Sequence, residues 1–249
     1  MLRNYLLIAV RNIMRDKVFS FINLSGLAVG IACFLLLFLF IQDELSYQSV
    51  PSTYDTRQVY RVYVHHIING VESTNSKTAG PLGQTFLEHF PEVESYTRIG
   101  YNGTHNFVNN ETTFRVGNLY AVDSNFFRLF NVEFISGDAH TALKEPQSLV
   151  LTQAGAKRIF GDEDPVGKLL PTAEGTSYLV TGLIKEFPKH SHFQSDYIES
   201  IYSHPVGDHW LDLWYTTYII LKPGANIRDL ETKLNKLVIE KVGPEAEAL

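Results

Sequence analysis

Cysteine is almost missing from this 249-residue chain: the only one, Cys33, lies inside an apolar run. No disulfide framework can form, so the polar part must be held by a hydrophobic core, and its 16 Phe and 13 Tyr residues can supply one. An oxidising compartment permits disulfides without demanding them, so the absence does not locate the chain. Charge is missing over one long stretch, for Val18 to Ile41 contains no Asp, Glu, Lys or Arg. Catalytic signatures are missing as well. No H-E-x-x-H or paired Cys/His spacing offers a metal site, no G-x-S-x-G elbow offers a serine, and a cysteine in lipid is no nucleophile. The expected catalytic, metal and cofactor residues are therefore none.

Two near-misses carry little. Gly161 and Gly167-Lys168 come closest to a phosphate loop, yet five residues separate the glycines where a Walker loop has four. Leu169 also stands where Ser or Thr should bind magnesium, so any ATP energy must come from a partner. His190-Ser-His192 and the group His204, Asp208 and His209 could ligate a metal, but their stretch has turn character and they are expected as solvated loop residues. Asn102-Gly-Thr104 and Asn110-Glu-Thr112 fit glycosylation acceptors, which matter only in a host that glycosylates.

What is present begins with the uncharged run. Leu24 to Ile41 is almost wholly apolar, and at about 1.5 Å per residue it spans roughly 27 Å, close to the roughly 30 Å hydrocarbon core of a bilayer. A transmembrane helix over residues 18–42 is expected, rather than the buried helix of a soluble protein. Gln42-Asp43-Glu44-Leu45-Ser46-Tyr47 offers no cleavage site after it, which favours a retained anchor over a secretory signal. Arg3, Arg11, Arg15 and Lys17 precede the span and Asp43 and Glu44 follow it, so the N-terminus should be cytoplasmic and residues 43–249 outside.

Residues 1–17 read as an amphipathic helix on the inner membrane surface. Leu2, Leu6, Ala9 and Ile13 share one face, and the basic residues reach for headgroups. Within the span, Gly26-Leu-Ala-Val-Gly30 leaves a flat stripe on which another helix can approach. Asn23 and Ser25 at the inner end need partners there, so packing in a bundle with helices outside this chain is expected.

The remaining residues suffice for one sizeable domain or two small ones. With a net charge of −6 overall and a surplus of three positive charges in the first seventeen residues, the remainder carries about −9. That acidity argues against nucleic acid as its partner. Strands are expected at 59–66, 96–99, 105–108, 113–116, 119–122, 148–152, 178–184 and 214–221, with turns at Asn69-Gly70 and a hairpin at Asn109-Asn110. Helices are expected at 81–90, at 124–130 capped by Ser124, at 153–160 capped by Thr152, and at 226–242 capped by Asn226. Residues 136–147 read as a loop. Interleaved strands and helices make an α+β domain.

A family resemblance adds to this reading. Asn12-Ile-Met-Arg-Asp-Lys-Val-Phe-Ser-Phe-Ile-Asn-Leu-Ser-Gly-Leu-Ala-Val-Gly-Ile31, with Asp43-Glu-Leu-Ser-Tyr47, resembles the start of MacB/FtsX-type ABC transporter permeases, especially the large forms of Bacteroidetes. Tyr120-Ala-Val-Asp-Ser-Asn-Phe-Phe127, Ser148-Leu-Val-Leu-Thr152, Ala156-Lys-Arg-Ile-Phe-Gly161, Asp164-Pro-Val-Gly-Lys168 and Val180-Thr-Gly182 resemble the periplasmic core domain of that family in order and spacing.

The resemblance implies an inner-membrane permease subunit, not an enzyme, whose periplasmic domain has a mixed α/β porter-like part and an inserted β-rich lobe. It implies further membrane helices, a separate ABC ATPase, and a homodimer or paired permease subunit. Because such permeases continue beyond the point where this chain stops, a fragment of a longer protein is expected. The alternative from another class is a single-span sensor or ligand-binding protein, which would need a cytoplasmic output module; a membrane-anchored outer enzyme is third.

Overall fold

The computed structural model describes residues 11, 14–46, 58–68, 70–187 and 193–247. The chain divides into two compact units, Met1–Ser49 and Val50–Leu249. The first is built on helix α1, Lys17–Ser46, with a bend at Asp16 just before it. The Asp16 carbonyl accepts the first helical bond, from Ser20 N at 2.9 Å, so the charged pair Asp16-Lys17 marks the start of the apolar rod.

The second unit is a mixed sheet with helices against it. Its strands are β1 (Val59–Arg61), β2 (Val64–Ile68), β3 (Val71–Asn75), β4 (Thr78–Ala79), β5 (Val93–Tyr101), β6 (His105–Asn109), β7 (Thr112–Val116), β8 (Tyr120–Val122), β9 (Phe134–Gly137), β10 (Ser148–Thr152), β11 (Leu169–Pro171), β12 (Ser177–Ile184), β13 (Tyr197–Ser200) and β14 (Leu213–Leu221). Helices α2 (Leu82–His89), α3 (Phe126–Leu129), α4 (Gln153–Phe160) and α5 (Ile227–Glu247) complete it. Ten strands form one sheet in the order β1-β14-β5-β8-β13-β10-β12-β11, with β4 on β14 and β9 on β12. The pairs β8–β13 and β10–β12 are parallel and the others antiparallel. Two hairpins, β2–β3 and β6–β7, stand outside it.

Alternation along the strands sorts the core onto two faces. On β10, Val150 enters a cluster with Phe126, Phe127, Phe130, Phe193 and Tyr218, whereas Leu149 and Leu151 enter another with Phe107, Leu119, Tyr178 and Tyr197. A third cluster, around Phe86, Phe90, Ile219 and Leu230, seats α2 and α5. Phe126 is 2% exposed, and its ring lies 4.8 Å from that of Phe130 and 5.4 Å from those of Phe127 and Phe193. Phe126→Ala should therefore cost about 3–5 kcal/mol, read as a lower urea midpoint at unchanged slope.

Several local expectations hold. Gly155 N donates to Thr152 Oγ1 at 3.1 Å, and Arg228 N donates to Asn226 Oδ1 at 3.0 Å, so both helices are capped as read. Others need correction. The expected strand 59–66 is two elements: β1 pairs with β14, and past an exposed Tyr63 the chain leaves the sheet so that β2 pairs only with β3. The β6–β7 turn centres on Asn110-Glu111, with φ of 47° and 66°, one residue beyond the expected position; two consecutive positive φ values match the twist of a two-residue hairpin. Ser124 does not cap α3. Asn125 holds that position without a side-chain bond, and Phe126 N bonds the Asp123 carbonyl at 3.0 Å, leaving the aromatic anchors to hold the turn. Part of the expected loop at 136–147 belongs to β9, and the turn-like stretch before His204 contains β13. Gly70 has a positive φ of 78°, as a turn requires, while Asn69 lies outside the described residues.

Candidate functional site

Helix α1 comes first because nothing in its own unit explains its surface. Lys17–Asp43 is the only segment among the described residues long and apolar enough to cross a membrane, and none of it is buried. Phe19, Phe21, Leu27, Leu36 and Phe40 are all largely exposed. In water that surface would be costly; in hydrocarbon it is the ordinary state of a spanning helix. A Cβ added at Gly26 or Gly30 would have no neighbour within 4 Å, so the stripe is open. Ser25 Oγ donates to the Ile22 carbonyl at 3.0 Å, which satisfies its hydroxyl inside the helix. Arg11, Arg15 and Lys17 are exposed, with Arg15 Nε 3.7 Å from Asp16 Oδ2. Arg3 and most of the expected interfacial helix lie outside the described residues.

The suspected phosphate loop in the second unit has a structural role. Gly161 ends α4, donating from N to the Lys157 carbonyl at 3.0 Å with φ 66°, and Lys168 pairs with Glu163. A phosphate loop needs its glycines before a helix, where N–H groups point at the anion; here they follow one. His209 and Asp208 are an exposed pair at 3.5 Å. His190 and His192 lie outside the described residues. Among the described residues no three His, Cys, Asp or Glu side chains gather as a metal site.

Two buried polar constellations were not legible in the sequence. In the first, Arg98 on β5 meets Asp123 after β8, each with a side chain 5% exposed. Arg98 Nε and Nη2 donate to the two carboxylate oxygens at 3.0 and 2.8 Å, Arg98 N donates to Oδ2 at 2.7 Å, and Nη1 donates to the Gly80 carbonyl at 2.7 Å. The guanidinium also lies over the rings of Tyr96 and Tyr215. Gly83 admits this packing: a Cβ there would sit 2.5 Å from the Tyr96 ring. Burial works against the charged guanidinium, but the hydrogen bonds and charge of Asp123 outweigh it and hold Arg98 above its ordinary pKa. Burial first, and then Asp123, push the Tyr96 phenol up to about 12. The clasp joins β5, the end of β8 and the start of α2.

The second surrounds Glu199 on β13, which is fully buried. Its Oε1 accepts from Asn102 Nδ2 and lies 3.2 Å from His204 Nε2, while its Oε2 has no hydrogen-bond partner. Burial and the Glu199 carboxylate hold the Tyr178 phenol above its ordinary value. The side chain of Asn102 is thus engaged with Glu199 and His204. Asn102 and Glu199 are 97 residues apart, and no local signal could have joined them.

Residues 20–237 match the family described as MacB-like periplasmic core domain. Among solved structures, a domain of a protein designated a permease from Porphyromonas gingivalis aligns with a TM-score of 0.66 at 23% identity, covering 74% of this chain and 81% of that one. The periplasmic region of MacB from Actinobacillus actinomycetemcomitans aligns at 0.51 and 16% identity, covering 66% and 74%. The extracellular domain of the noncanonic ABC-type transporter YknZ from Gram-positive bacteria aligns at 0.53 and 12%, covering 74% and 95%. No curated protein matches the sequence. At these identities the structural likenesses speak only for the fold of the mixed α/β domain that follows helix α1.

Proposed function

We propose, from the premise that this chain belongs to the MacB-like periplasmic core domain family, that it is the N-terminal part of an ABC transporter permease subunit. The observation that carries this reading is an exposed apolar helix leading into a domain, with the family match running over residues 20–237. In this reading residues 1–17 lie on the cytoplasmic face, 18–42 cross the membrane and 43–249 form the periplasmic domain. A separate ATPase closes on ATP, the membrane helices shift, and the outer domain changes shape. The chain does no bond chemistry itself. The stripe at Gly26 and Gly30 is where a neighbouring helix, from the same subunit or its pair, approaches. Arg3, Arg11, Arg15 and Lys17 keep the N-terminal side at the cytoplasmic headgroups.

The sidedness has a direct test. In a Cys33→Ser background, a cysteine placed at the exposed Glu174 should react with a membrane-impermeant maleimide in intact spheroplasts. Labelling only after lysis overturns the orientation. The transport reading is tested by purifying the full-length parent and asking whether an ATPase encoded beside it comes with it. If none associates and no further spans follow downstream, the permease reading fails.

A further inference from the structure

The base of the β6–β7 hairpin is closed by two backbone bonds, Asn102 N to the Leu119 carbonyl at 2.9 Å and Leu119 N to the Gly103 carbonyl at 3.3 Å. Asn102 also ties this neck to the sheet through its side chain. Its amide nitrogen has two hydrogens and meets three acceptors: Glu199 Oε1, His204 Nε2 at 2.6 Å and His105 Nε2 at 3.3 Å. With Nδ2 donating to both close neighbours, the Nε2 of His204 serves as an acceptor. His204 follows the turn Ile201–Ser203 and its side chain is 44% exposed, so water and protons reach it.

We propose that Asn102, Glu199 and His204 form an acid-released latch on the hairpin neck. When His204 takes a proton, its Nε2 becomes a donor. It can then no longer accept from Asn102, and it faces Glu199 Oε1 only 3.2 Å away. The cation turns to the buried carboxylate, and the amide loses its His204 acceptor outright. Acid thus removes one of the two close bonds that hold the Asn102 amide, and the neck loosens.

The other ionisable groups around the latch are accounted for. His105 on β6 has its ring 6.4 Å from that of His204, Tyr178 on β12 stays a neutral phenol, and Glu174, in the turn between β11 and β12, is within electrostatic reach of His105. The rest of the hairpin has independent holds, since Phe107 is fully buried and Ala173 N donates to the Asn106 carbonyl at 2.7 Å. The release is therefore confined to the neck.

The test is hydrogen exchange on the whole chain in nanodiscs at about pH 7.5 and about pH 5.5, corrected for intrinsic exchange. The amides of Asn102 and Leu119 should lose roughly three- to ten-fold in protection on acidification, the worth of one net hydrogen bond. Those of β10 should not change. His204→Gln, which keeps a neutral acceptor, should abolish the pH response while retaining the neutral-pH protection; His105→Gln should leave the response intact. Asn102→Ala should give fast neck exchange at both pH values. The latch is overturned if the wild-type neck does not respond, if His204→Gln still responds, or if β10 loses protection in parallel.

Discussion

Arg98→Ala should lower the unfolding free energy of the outer unit by about 3–5 kcal/mol, because it strands the Asp123 carboxylate with its side chain only 5% exposed. Three of the hydrogen bonds to that carboxylate come from Arg98, two from the guanidinium and one from its backbone N–H. The alanine keeps only the backbone donor. Asp123→Ala should cost a similar amount by leaving the buried guanidinium with the Gly80 carbonyl and tyrosine rings but no counter-charge. Replacing both residues with apolar side chains of similar volume should cost clearly less than either single change, since no unpaired charge then remains buried. Equilibrium urea unfolding of the two singles and the double forms the cycle that separates these contributions. The pair raises the folded pKa of Arg98, so its stabilisation is fully present below the already high unfolded pKa and is lost only above it. Nothing on the arginine side titrates between about pH 6 and pH 9, so any change in the cost of Arg98→Ala over that range comes from the stranded carboxylate. A cost under about 1 kcal/mol would mean that the clasp is not holding the unit together.

The largest expected effect lies in α1. Val29→Arg combined with Phe34→Arg places two guanidinium groups near the middle of the apolar run, where each costs about 2.5–3.5 kcal/mol of insertion, so about 5–7 kcal/mol together. Val29 and Phe34 are more than half exposed, and Phe34 gives up a stacked ring contact with Phe38 one turn on. The variant should leave the membrane fraction and appear in the alkaline-carbonate supernatant. Retention of both arginines in the membrane pellet would show that α1 is not a lipid-facing span. Phe126→Ala provides the contrast, because it should lower stability and leave membrane retention unchanged.

The two units differ in how far they can be read from the sequence. An anchor is a matter of length and composition, and α1 runs Lys17–Ser46 around an uncharged stretch visible on inspection. Helix caps are local too, which is why Thr152 and Asn226 were found where their spacing put them. Strand β13 was not. Its four residues are all buried, but Glu199 breaks any apolar pattern and the flanking histidines suggest a loop. Strand 59–66 failed for the opposite reason: its alternation continues past the point where the sheet partner ends.

From sequence alone came the membrane anchor, the acidity of the large domain, most capped helices and the ordered motifs of the family, all of them properties carried by contiguous residues. Tertiary structure alone decided that Arg98 meets Asp123 across 25 positions, and that Asn102 meets Glu199 and His204 across 97 and 102. A buried charge is tolerable only beside the partner that folding brings to it, and that partner leaves no trace in the local pattern.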